Sequence, residues 1–137
     1  MSSRRRPEPV NVVDLVLWVV AWLLVAGVVW SFLGPPPSAL ADLSFGDKIL
    51  HFGAYASTTA MFLLAAVWRP GRGRGGFPRS APLIVGSAIL LSGVIELAQG
   101  AFTSRTAEPL DAVAGVVGAI AAWAAWRLVE RLGVPAG

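Results

Sequence analysis

The stretch Leu83-Ile84-Val85-Gly86-Ser87-Ala88-Ile89-Leu90-Leu91-Ser92-Gly93-Val94-Ile95-Glu96-Leu97-Ala98-Gln99-Gly100-Ala101-Phe102 decides the fold. It is apolar over the roughly 20 residues that an α-helix needs to cross a hydrocarbon core. Within it stand one ionisable group, Glu96, and an amide, Gln99, three residues on. A charge near the middle of a bilayer costs about 2.5–3.5 kcal/mol on insertion scales, so such a residue is rarely accidental. It pairs with something or works on something.

Three more segments of similar length and character surround this one: about Val12 to Leu33, Ile49 to Trp68, and Leu110 to about Val129. Breakers separate them. Gly34-Pro35-Pro36-Pro37 ends the first, because proline lacks the amide proton and clashes with the preceding turn. Pro70 to Pro82 is a loop rich in Gly, Pro and Arg, and Thr103 to Pro109 is a short polar turn. The expected fold class is all-α: a four-helix transmembrane bundle forming one domain over residues 1–137. Composition agrees, with 55% hydrophobic and 14% charged residues, against about 25% charged in soluble domains. A soluble fold this short would struggle to hide that much apolar surface. Cysteine is absent, which excludes disulfide and thiol chemistry.

Arg4-Arg5-Arg6 ahead of the first segment, with Ala39-Leu40-Ala41 after it, has the outline of a signal peptide. The apolar run is longer than the 7–15 residues of a signal core, so a retained helix is expected. Nine of the eleven basic residues lie at the N-terminus, in the 69–82 loop and at the end of the fourth segment; only Lys48 and Arg105 lie on the other side. The positive-inside rule then places both termini in the cytoplasm and the chain as a multi-pass protein of the cell inner (cytoplasmic) membrane, in contact with membrane lipids. Trp68 and Trp126 beside arginines, and Trp30 near the opposite end, fit interfacial belts. Topology explains the arginine-rich loop better than nucleic-acid binding does, so no nucleic-acid partner is expected.

With that orientation the polar residues gather on the outer side. Asp47, His51 and Tyr55 are spaced i, i+4, i+8 and share one helix face, with Lys48 beside them. Glu96 and Gln99 share a face of the third helix. Arg105, Glu108 and Asp111 follow at intervals of three. At 1.5 Å per residue, Tyr55 and Glu96 both lie about 9 Å from the outer ends of their apolar runs. Gly115 and Gly118 on the fourth helix would let a neighbour approach closely. Asp14 is expected near the inner interface at a helix N-terminus. Ser57, Ser92, Trp18 and Trp22 are read as packing or lipid-facing residues.

Asp47-Lys48-x-x-His51-Phe52-x-x-Tyr55 resembles the second-helix signature of the VanZ-like family. Glu96-x-x-Gln99, then Arg105-x-x-Glu108-x-x-Asp111 and Gly118, resembles that family's second half. The ordered set covers roughly residues 12–128. One departure is Gly115, where the family usually has asparagine. The resemblance implies a small integral membrane protein of the bacterial cell envelope, in a family whose founding member is linked to resistance to the glycopeptide teicoplanin. It supplies no biochemical activity. The phosphotransbutyrylase label that some members carry finds no acyl-CoA or phosphate-binding fold here.

Asp47, Lys48, His51, Tyr55, Glu96, Gln99, Arg105, Glu108 and Asp111 are the expected ligand-binding set. Its carboxylates outnumber its cations, even with His51 charged. A pyrophosphate pocket should be net positive, so such a ligand would need a metal bridge or recruitment of Lys48 and Arg105. The structural alternative is internal neutralisation, with Arg105 on Glu108 or Asp111 and His51 on Glu96 or Gln99. His51 and Glu96 are the candidates for acid–base chemistry, since Glu96 is partly desolvated and His51 is its natural partner. The single histidine offers no HExxH or paired-His spacing, so no metal or other cofactor is expected. One imidazole with carboxylates is nonetheless a donor set that a divalent cation accepts. Three function classes stay open: a binder or modifier of a cell-wall ligand such as a glycopeptide, an enzyme on a lipid-linked envelope molecule, and a small transporter subunit. The nearly apolar inner halves of the third and fourth helices disfavour the last unless the chain forms a homo-oligomer.

Overall fold

Each apolar run carries its own start and stop signals, and each becomes one helix. In the computed structural model, which describes residues 11–34, 46–68, 78–103 and 106–132, the order is α1 (Val12–Leu33), α2 (Gly46–Val67), α3 (Ala81–Phe102) and α4 (Pro109–Arg131). Asn11 caps α1, its side chain accepting the Val13 amide at 2.9 Å, and Asp14 sits in the first turn, where a carboxylate favours the helix dipole. The Gly34 amide closes the other end on the Trp30 carbonyl at 2.8 Å. The first turn of α2 is the polar Gly46-Asp47-Lys48, so the helix begins ahead of its apolar run. Pro109 opens α4, where its missing amide proton is no loss, and the helix extends through Arg127 to Arg131.

All four helices are 22 or 23 residues long and apolar enough to cross a membrane. The chain is a multi-pass membrane protein. No strand occurs among the described residues. The pattern of burial reverses that of a soluble bundle. Leu83, Leu97, Phe102 and Trp30 are strongly exposed, whereas His51, Tyr55, Thr58, Thr59, Ser92, Glu96, Gln99 and Asp111 are buried. Lipid accepts the apolar surface and rejects unsatisfied polar groups, so the polar side chains turn inward.

Central helix α2 packs against α4, α1 and α3. Glycine sets the closest approach. A Cβ on Gly118 would overlap the Phe52 carbonyl oxygen and come within 3.0 Å of its carbon, so α4 lies directly on the α2 backbone. Toward the other end, Trp18 and Trp22 of α1 meet Phe62 of α2 edge-on, with ring centroids 5.6 and 5.4 Å apart. Trp22 is also largely exposed, so one ring serves both packing and the lipid face.

Candidate functional site

Four helix ends converge: the C-terminal ends of α1 and α3 and the N-terminal ends of α2 and α4. At that end the i, i+4 stripe of α2 faces the Glu96–Gln99 face of α3 and the first turn of α4. His51 is 1% exposed, Glu96 5% and Asp111 5%. Such burial without partners would be costly, so the hydrogen bonds matter.

His51 Nδ1 lies 2.9 Å from the Asp47 carbonyl oxygen. A carbonyl can only accept, so Nδ1 carries the proton and donates it. The other nitrogen, Nε2, faces Glu96 Oε2 at 3.9 Å, too far for a direct hydrogen bond. Phe32 of α1 stacks on the imidazole, with centroids 3.9 Å apart and planes 14° from parallel. Glu96 Oε1 accepts the backbone amide of Glu108. The Glu108 carbonyl in turn accepts the Asp111 amide at 2.8 Å. Lys48 Nζ bonds Glu108 Oε2 at 2.9 Å and lies 3.2 Å from Asp111 Oδ1. Residue 108 therefore ties together α2, α3 and α4.

The expected residues separate into layers. Lys48, His51, Glu96, Glu108 and Asp111 form one cluster. Gln99 points elsewhere: its Nε2 donates to the Phe32 carbonyl at 2.7 Å, joining α3 to the end of α1. Of the two partners that spacing left open to His51, the structure selects Glu96. Asp47 contributes its carbonyl to His51 and lines a groove between α1 and α2. Tyr55 lies one turn deeper, its hydroxyl facing Ser92 without a well-formed hydrogen bond. Arg105 lies outside the described residues; the cation seen on Glu108 and Asp111 is Lys48. Phe32 escapes a reading of the sequence, because a phenylalanine within an apolar run carries no local signal of its role. Ser92 is the packing residue its position suggests, donating to the Ala112 carbonyl at 3.0 Å.

Gly115 has a physical counterpart. A Cβ there would overlap Ser92 Oγ and come within 2.8 Å of Tyr55 Cδ2. Ser92 and Tyr55 thus occupy the space that a side chain at 115 would need. Gly115→Asn is expected to destabilise the bundle by about 1–3 kcal/mol, and adding Ser92→Gly to recover part of that loss. Thermal unfolding in detergent measures both, and equal stability of the two variants would refute the pairing.

The groove between α1 and α2 has a volume of about 280 Å³ and runs past Leu23, Gly27, Val28 and Ala54 to Phe32 and Asp47. Phe32 is its shared wall with the polar cluster, lining the groove and stacking on His51. No family model, curated protein or solved structure matches the chain.

Proposed function

We propose that the chain is a VanZ-like protein of the bacterial inner membrane, with both termini cytoplasmic, whose outer polar end receives the head group of a lipid-linked envelope molecule. The observation that carries this reading is the contiguity of an apolar groove with a buried polar cluster across the single ring of Phe32. An amphiphile needs both: an apolar channel for its chain and oriented polar groups for its head. The charge asymmetry of the loops supports the orientation. The ordered resemblance of Asp47 to Gly118 supports the family, and with it a contribution to tolerance of glycopeptides such as teicoplanin. His51 and Glu96, facing each other in a dry site, are the pair that would move a proton if the ligand is also transformed.

Susceptibility to several cell-wall antibiotics, teicoplanin included, tests this reading in cells expressing the wild type, Glu96→Gln or Gly27→Leu. Gly27 lines the groove, and a Cβ built there meets nothing within 4 Å, so a side chain can start there without a clash and leucine adds apolar bulk at the groove. Wild type is expected to shift susceptibility, and Gly27→Leu to return it to the empty-vector level. Glu96→Gln keeps the shape and removes the ionisable group, so it abolishes a proton-transfer function and spares simple binding. Identical susceptibility of wild type and empty vector would remove the proposal.

A further inference from the structure

Three atoms at the polar end lack hydrogen bonds: His51 Nε2, Glu96 Oε2 and Asp111 Oδ1. All three residues are more than nine-tenths buried, and the ligand-capable atoms of the trio lie within 4.8 Å of one another. Two are carboxylate oxygens, which accept only. The third is an imidazole nitrogen whose proton is held on the far side of the ring by the Asp47 carbonyl. His51 Nε2 and Glu96 Oε2 thus face each other at 3.9 Å with no donor between them, and Asp111 Oδ1 beside them has only the ion-paired ammonium of Lys48, at 3.2 Å, in a place that water reaches poorly. Buried polar atoms are ordinarily satisfied, and each exception needs a cause.

We propose that His51, Glu96 and Asp111 form a binding site for one divalent first-row transition metal ion. The donor set fits that class. Imidazole suits zinc, iron, nickel and copper, while carboxylates suit manganese; calcium and magnesium take oxygen ligands. Two carboxylates with a neutral imidazole carry a formal charge of about −2 that a dication balances. The spacing fits as well. With metal–ligand lengths of about 2.0–2.2 Å, neighbouring donors stand about 3–4 Å apart, and His51 Nε2 to Glu96 Oε2 is 3.9 Å. The surroundings are those of a metal site. A metal-bound histidine almost always donates its second nitrogen to a carbonyl or carboxylate, as His51 does to Asp47. The second oxygen of Glu96 is held by the Glu108 amide. With three protein ligands the ion keeps at least one position open, the arrangement of catalytic rather than structural sites.

Lys48 competes for this place. Its ammonium lies 3.2 Å from Asp111 Oδ1, so an entering ion displaces it from Asp111 and leaves it on Glu108. Removing that cation therefore strengthens metal binding, whereas a purely structural polar cluster gains nothing.

The test uses the full chain purified in detergent, stripped with chelator and titrated separately with Zn²⁺ and Mn²⁺, with metal content measured after dialysis. It needs no knowledge of the envelope ligand, so its outcome and that of the antibiotic experiment are independent. Wild type is expected to bind about one equivalent of at least one of the ions and to unfold at higher temperature when loaded. The near-isosteric Glu96→Gln and Asp111→Asn should weaken binding by about a hundredfold or more, since even outer-shell changes cost about 10–100-fold. Lys48→Met, which leaves all three ligands in place, should bind several-fold more tightly than wild type. Absence of binding by wild type, equal binding by the carboxamide variants, or no gain in Lys48→Met would each overturn the site.

Discussion

Gly118→Ala lowers the stability of the bundle by about 2–3 kcal/mol, and Gly118→Leu prevents its assembly. The magnitude follows from what a side chain would meet. The obstacle is the Phe52 carbonyl oxygen and carbon, the backbone of a neighbouring helix with its own hydrogen bonds to keep, and not a side chain that can turn aside. Only separation of α2 and α4 makes room. Within a bilayer that separation is costly in a particular way, because helix association there rests on close packing and interhelical polar contacts. Gly93 is the control. A Cβ on Gly93 has nothing within 4 Å, so Gly93→Ala is expected to be neutral or mildly stabilising through helix propensity. Unfolding by heat or by added denaturing detergent compares the two. Equal losses for Gly118→Ala and Gly93→Ala would show that the α2–α4 contact does not limit stability.

Gln99→Leu is expected to cost about 1–3 kcal/mol, the penalty of leaving a buried acceptor without its donor. The acceptor is the Phe32 carbonyl in the last turn of α1, where a helix has no partner of its own to offer. Gln99 supplies that partner at 2.7 Å. The consequence reaches further than one bond, because α1 is the least buried of the four helices. Its polar end is fixed by Gln99 and by the stacking of Phe32 on His51. Loosening that end uncovers the imidazole and opens one wall of the groove. Hydrogen exchange should show faster exchange of the last amides of α1 in Gln99→Leu, with α4 unchanged. Gln99→Met keeps the length and removes the donor, so it should reproduce the effect. Uniform loosening of all four helices would instead mean that α1 is not separately tethered.

The metal site and the groove bear on one question, what the polar end is for. A cluster that served only to hold helices together would satisfy its own atoms, as Gln99, Ser92 and the Glu108 backbone do. His51 Nε2 and Glu96 Oε2 do not, and Asp111 Oδ1 has only the Lys48 ammonium at 3.2 Å. They are therefore the atoms on which a function is expected to depend.

Much of this was readable from the chain alone. Four apolar runs of membrane-spanning length, punctuated by Pro and Gly, determined the helices, because length and hydropathy are what a bilayer selects on. The spacing of Asp47, His51 and Tyr55, and of Glu96 and Gln99, determined which residues share a face, because helical periodicity is local. The choice of partner was not local. His51 meets Glu96 and not Gln99, and Lys48 reaches Glu108 and Asp111 across the sequence. Those pairings depend on the rotation and depth of each helix against the next, which the glycine contact at Gly118 and the fit of Ser92 and Tyr55 against Gly115 set. Phe32 gained its role only from the fold, since nothing in an apolar run marks the one ring that stacks on an imidazole. The sequence determined that a charged residue lies where lipid would reject it; tertiary packing decided that Glu96 faces one imidazole and one further carboxylate, because only packing brings residues from α2, α3 and α4 within 4.8 Å.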